Sequence, residues 1–262
     1  MAGQPLGLVV PGQVEATMIP ALASLPESLW ASTDPHGAIH VVDGRSRLWP
    51  GAVGVAEDRG AVGVLVLDPA AETGPLDDRG TIPVVIAQPW ASNPIVDEVG
   101  PWRSEFARAD LITVVAVLRP ADPGELRDAA ADAARLIARL TGRTPTLEVS
   151  VEHPTAISLA GTVRDAVVRV GIVMSDVGAT GSRIRLHSAE LEHILEIPQG
   201  ESAAASSASR IAPEGQFTLP SVYESYVRAS LRRLVRAVLY NEVPGDLIEF
   251  ASVASVAGRG ES

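Results

Sequence analysis

The chain has 262 residues, enough for one large domain or two small ones, and 46% of them are hydrophobic against only 4% aromatic. Its net charge of −11 argues against nucleic-acid and anionic-membrane partners, which need clustered positive charge. It has no cysteine and no lysine, since all 21 Lys+Arg positions are arginines, and this excludes disulfides, thiol nucleophiles and Schiff-base chemistry.

Catalysis must then rest on the five histidines, the carboxylates, the hydroxyls or a bound cofactor. No uncharged apolar run approaches the ~18 residues of a membrane span. The first residues lack the basic region of a secretory signal. The expectation is a soluble, cytoplasmic protein with no membrane and no nucleic-acid partner.

In chain order, Leu6–Val10 reads as a buried strand, followed by Pro11-Gly12 and a helix over 13–25 interrupted by Pro20. Further strands are predicted at 29–33, ending in Asp34, and at 62–67, ending in Asp68-Pro69. Two more follow at 83–87, closed by Gln88-Pro89, and at 111–118. These are continuous β-branched runs, as strands buried on both faces of a parallel sheet are.

From Leu126 the apolar residues recur at helical spacing up to Thr141-Gly142, where Gly142 suits a C-cap. Alternating segments follow at 146–151, 156–163, 167–174 and 183–197, the pattern of an antiparallel sheet with one open face. Residues 200–209 read as a loop of small residues, and 221–240 as an amphipathic helix. The fold class predicted is α/β: a Rossmann-like parallel sheet over 1–120, an α+β domain with a mainly antiparallel sheet over 121–255, and a tail over 256–262.

A dinucleotide-binding turn needs strand, G-x-G-x-x-G, helix, and an acidic residue roughly 20 residues on. The corresponding stretch here, Val10 to Glu15, keeps only Gly12. Asp34 stands where a ribose would be held. Glu15 falls in the first helical turn, where its carboxylate stabilises the helix terminus and repels a pyrophosphate. The cofactor expectation is therefore none, or weak NAD(P).

Several segments resemble the glucose–fructose oxidoreductase and inositol dehydrogenase (Gfo/Idh/MocA) family. Residues 19–26 look like that family's first helix and its exit. Residues 62–69, VGVLVLDP, look like its strand ending in a Pro-containing turn over the nicotinamide. Residues 83–89, PVVIAQP, look like its Glu-Lys-Pro strand end, and 136–142, LIARLTG, like the helix leading into its substrate domain. The resemblance implies cofactor contacts from Gly12, Asp34, Asp68 and Pro69. It puts Gln88 at the place of the family lysine. It puts Asp128 at the aspartate and Asp132 at the histidine of the family's Asp-x-x-x-His pair. Glutamine transfers no proton, whereas Asp128 or Asp132 acts as an acid or base if its pKa is raised; both also suit an exposed helix face.

The leading expectation is a degenerate homologue, a non-catalytic binding or partner subunit. It would associate with itself or a related chain through the C-terminal sheet. The alternative is a divergent NAD(P)-dependent oxidoreductase acting on a small hydroxylated, sugar-like substrate. No metal site is expected. His36 and His40 are spaced i, i+4, but Pro35 and Gly37 indicate a turn. His187 and His193, taken on one strand, lie roughly 20 Å apart. No Gly-x-Ser-x-Gly occurs. Arg228, Arg232 and Arg236 form a stripe on the last helix, a solvated face or an anion site.

Overall fold

The computed structural model describes residues 5–25, 27–71, 81–120, 122, 124–177, 179–199 and 205–257. The chain divides into two compact units, 1–88 with 226–251, and 89–225 with 252–262. The division at Gln88/Pro89 differs from the expected one near 120, and the first unit is completed by the C-terminal helices.

The first unit is built on a parallel sheet of β1 (Leu6–Val9), β2 (Leu29–Ala31), β3 (Ile39–Asp43), β4 (Gly63–Leu67) and β5 (Val84–Ala87), in the order β2-β1-β3-β4-β5. Ile39, Val41, Leu65, Leu67, Val85 and Ala87 pack on one face with α1 (Glu15–Ala23) and α6 (Tyr226–Tyr240). α2 (Trp49–Asp58) packs with β3 and β4. Val64, Val66, Val84 and Ile86, of opposite parity, are buried too. Both faces are covered, which is why these strands are unbroken aliphatic runs.

Strand β3 was not anticipated. Its connection from β2 is a turn rather than a helix. The Asp34 carboxylate accepts the His36 N–H at 3.0 Å, and Gly37 has φ of +70°. A parallel crossover ordinarily carries a helix, and without one the segment reads as loop.

The second unit contains α3 (Ile95–Glu98), α4 (Arg103–Phe106), β6 (Leu111–Leu118), α5 (Gly124–Thr141) and strands β7 (Thr146–His153), β8 (Ala156–Val163), β9 (Ala166–Met174), β10 (Gly181–His187), β11 (Glu192–Pro198), β12 (Ser207–Ala212) and β13 (Gly215–Thr218). The eight strands order as β13-β12-β11-β10-β6-β9-β8-β7, all antiparallel except β6 with β9. Thus β6, expected in the parallel sheet, lies in the middle of the other one. Its burial alternates, with Ile112, Val114, Ala116 and Leu118 buried and Val115 exposed. A strand apolar at every position but Thr113 conceals that one-sidedness in sequence.

Helix α5 packs on β8 and β9 and ends at Gly142, φ +69°, whose N–H reaches the Ala138 carbonyl at 2.8 Å. Residues 183–197, expected as one strand, are a hairpin around Ser188–Leu191. The loop expected over 200–209 gives way to β12 from Ser207, and 200–204 lie outside the described residues. The closing helix begins at Tyr226 rather than 221, and an unanticipated α7 (Asp246–Ala257) follows it and runs two residues into the tail expected over 256–262; 258–262 lie outside the described residues. Among the described residues no helix is long and apolar enough to cross a membrane.

Candidate functional site

Open α/β sheets bind ligands at the carboxyl ends of their strands, at the point where the strand order reverses. In the first unit that point lies between β1 and β3, because β2 flanks β1 on one side and β3 on the other. Beyond β1 the chain makes a 3₁₀ turn, Gly12–Val14, before α1. A Cβ built on Gly12 would meet nothing within 4 Å, so open space fronts the first helical turn there. Glu15 occupies that turn and is exposed, as expected. Asp34 lies beyond the end of β2, exposed, with Oδ1 engaged by the His36 N–H.

The strand across the switch point from β2 is β3, ending in Asp43-Gly44-Arg45; β4 with its Asp68-Pro69 end stands one strand further out, and β5 with Gln88 two. Gly44 locks the first two ends together. Its N–H donates to the Leu67 carbonyl at 2.7 Å, and its own carbonyl accepts the Ala70 N–H at 2.7 Å.

Asp68 is held unusually. It is one of three non-glycine residues among those described with positive φ, at +50°. One carboxylate oxygen accepts the Tyr226 hydroxyl at 2.9 Å, and the other lies 3.4 Å from the Arg45 guanidinium. Its side chain keeps 22% of its surface. Burial pushes the carboxyl above its ordinary pKa, against the opposing pull of the Tyr226 hydrogen bond and the Arg45 charge; Asp43 adds slightly to the rise. Pro69 is buried beside it, and Gln88 is buried and hydrogen-bonded or otherwise engaged.

The two α5 carboxylates fall in the second unit. Asp132 does not lie on an exposed helix face: it is 3% exposed, with Oδ2 accepting the Trp90 N–H at 2.9 Å and Oδ1 the Ala91 N–H at 2.8 Å. It fixes the chain just after Gln88-Pro89. Asp128, one turn earlier, is half-buried and engaged.

One cluster has no counterpart among the expected sites. His193 Nε2 lies 2.7 Å from Glu105 Oε2, which also accepts Arg210 Nε at 3.0 Å. The imidazole is edge-on to Phe106, with ring centres 4.9 Å apart, and tilted against Trp102. Burial lowers the His193 pKa despite Glu105, and the hydrogen bonds from Arg210 and His193 outweigh burial to hold Glu105 low. These residues come from α4 and the turn before it, β11 and β12, a separation no local pattern reveals. The supposed distance between His187 and His193 does not apply, because they sit on two strands of a hairpin with Leu186 opposite His193. His40 is buried in β3 with Nε2 2.8 Å from the Pro35 carbonyl. Among the described residues no three His, Cys, Asp or Glu are arranged to hold a metal. Of the Arg stripe on α6, Arg236 pairs with Glu242, and Arg228 and Arg232 are engaged.

No family model and no curated sequence matches the chain. Solved structures do. A 3-ketoreductase from Actinomadura kijaniata, in complex with TDP-benzene and NADP, superposes with a TM-score of 0.73 at 12% identity, covering 98% of each chain. UDP-N-acetylglucosamine 3-dehydrogenase from Acidithiobacillus ferrooxidans gives a TM-score of 0.72 at 10% identity, covering 99% of this chain and 97% of that one. The Bacillus subtilis protein YvaA gives 0.69 at 15% identity, covering 97% and 95%. At these identities the likeness establishes the fold, which is that of the Gfo/Idh/MocA-type oxidoreductases.

Proposed function

We propose that the chain is a divergent NAD(P)-dependent oxidoreductase that acts on a small hydroxylated, sugar-like substrate and holds its nucleotide weakly. The observation that carries this reading is the switch point between β1 and β3, with open space at Gly12 and an acidic residue, Asp34, beyond β2. Gly12 and Asp34 fit a dinucleotide; Glu15, exposed in the first turn, opposes its phosphates. The structural neighbours named for sugar-nucleotide ketoreduction and dehydrogenation support the substrate class.

In this reading the place of β3 also bears on which strand end takes which role. With β3 as the strand across the switch, each later strand moves out by one. Asp68-Pro69, rather than Gln88-Pro89, then stands at the position likened to the family lysine.

The experiment is calorimetric titration with NAD(H) and NADP(H), followed by turnover assays on sugars, sugar nucleotides, inositols and hydroxy acids. Binding weaker than micromolar, about −8 kcal/mol, is expected for the unaltered protein. Val10→Gly combined with Glu15→Gly is expected to tighten it.

A second reading, a non-catalytic binding or partner subunit, is favoured by one observation: both oxygens of Asp132 serve backbone N–H groups. No nucleotide binding, with no turnover on any substrate of the panel, would select it. Under either reading the surface for self-association, or for pairing with a related chain, is the open face of the eight-stranded sheet.

A further inference from the structure

We propose that Asp68, paired with Tyr226, is the acid–base residue of this site, taking the hydroxyl proton of a secondary alcohol during oxidation and returning it during reduction. This rests on the oxidoreductase reading above and adds to it the group that moves the proton.

Three independent features converge on Asp68. Its backbone is left-handed, a conformation that non-glycine residues seldom adopt and that persists where the surroundings impose it. Here they do: Asp68 N–H donates to the Ala87 carbonyl at 3.0 Å, and Gly44 and Ala70 clamp the turn from the other side. Its carboxylate is reached from two different elements, by Tyr226 of α6 and by Arg45 after β3, yet part of the side chain stays open. And it ends a strand of the parallel sheet, on the edge where such sheets take ligands.

The other candidates are less suited. Gln88 carries no transferable proton, Asp132 already spends both oxygens on the backbone, and the chain has no lysine.

The step balances simply. On oxidation the C–H bond of the carbinol breaks and its electron pair leaves as hydride. The O–H bond breaks, its pair forms the second bond of C=O, and its proton goes to Asp68. Nicotinamide, when bound, supplies the hydride acceptor or donor; the protein must handle only the proton. Tyr226 holds one carboxylate oxygen in place and favours the charged form, as does Arg45. Among the described residues Asp43 also faces Asp68 and opposes charge there. A carboxyl whose burial disfavours its charge, balanced by these donors, can both accept and release a proton.

The test uses the full chain, with Asp68→Asn and Tyr226→Phe. Asparagine tolerates the left-handed conformation, so the turn is preserved. Nucleotide affinity is measured first. The expected result is that the unaltered protein and Tyr226→Phe bind NADP(H) alike, and Asp68→Asn is assayed at saturating nucleotide. Asp68→Asn should lower kcat by about 10²–10⁴-fold. In Tyr226→Phe the acidic limb of kcat/KM should move to higher pH, because a donor to the charged carboxylate is lost. Carboxyl ¹³C NMR of the free protein gives a readout independent of turnover: Asp68 should titrate above the ordinary aspartate range and higher still in Tyr226→Phe. Nucleotide binding with turnover that survives Asp68→Asn, or an Asp68 titration that Tyr226→Phe leaves unmoved, overturns the proposal alone. Failure of the unaltered protein to bind nucleotide overturns the oxidoreductase reading, and this role with it.

Discussion

At the scale of single residues, two buried polar groups carry structural weight that their neighbours in sequence do not announce. Asp132 accepts two backbone N–H groups from Trp90 and Ala91. Hydrogen bonds to a charged group contribute about 1.5–3 kcal/mol, and buried donors left unmade cost about as much. Asp132→Ala is therefore expected to lower unfolding free energy by about 3 kcal/mol in urea denaturation. Asp132→Asn, with one acceptor oxygen instead of two, should fall between.

His193 and Glu105 give a pH dependence of definite sign. The folded His193 pKa is depressed by burial, so above the ordinary histidine range, about pH 6.5, both folded and unfolded states are neutral and its contribution is complete. As pH falls through that range the unfolded chain takes up a proton first, and stability is lost. Glu105, lowered by Arg210 and His193, contributes above the carboxylate range and loses that contribution as pH falls through its folded value. Denaturation midpoints should thus drop in two stages on acidification. His193→Gln should abolish the first stage and leave the second; a first stage unchanged in that variant would place its origin elsewhere.

At the scale of elements, the strand ends are coupled by close backbone approach. A Cβ on Gly44 would sit 2.6 Å from the Leu67 carbonyl oxygen and from the Pro69 Cα. Both obstacles are backbone, so they cannot rotate aside as a side chain would. Gly44→Ala is expected to destabilise by about 1–3 kcal/mol, as overpacking does, and to disturb the Asp68 turn. Crystallography of the variant would show the separation of the two strand ends.

The outer edge of the same sheet is guarded by the returning chain. Asp246, at the start of α7, accepts the Ile86 N–H of edge strand β5 at 2.8 Å and pairs with Arg233 of α6. Asp246→Ala removes that acceptor from a buried N–H. A loss of about 1–3 kcal/mol and faster amide exchange at Ile86 are expected.

At the scale of the whole molecule, the eight-stranded sheet presents a partly apolar face. Val115, Val167 and Val173 are 59%, 43% and 42% exposed. The register sets Val117 beside Val173 and Leu111 beside Val167 on neighbouring strands. Contiguous exposed apolar surface marks association sites, and a stable pair needs roughly 1,200 Å² or more of total buried area. Light scattering should find an oligomer, and Val115→Arg with Val173→Arg should reduce it to monomer. A monomer at high concentration for the unaltered chain would remove this surface from consideration.

The sequence by itself determined those features that short-range pattern encodes. The aliphatic runs read at 6–10, 62–67 and 83–87 contain strands buried on both faces, and the 3.6-residue repeat from Leu126 with Gly142 marked α5 and its end. Absence of lysine excluded one chemistry outright. The order of these elements, a parallel sheet followed by a mainly antiparallel one, carried the resemblance in fold. Tertiary structure alone decided the rest. Strand β6 is as apolar as its parallel-sheet counterparts, and only its neighbours β9 and β10 reveal that one face is open. Strand β3 lacked the flanking helix by which a crossover is recognised, and its insertion beside β1 moved every later strand end outward by one place. Asp68 and Tyr226 meet across 158 positions, and Asp132 meets Trp90 across 42. Contacts at such separations depend on how elements dock, a property of the packed chain that no local periodicity contains.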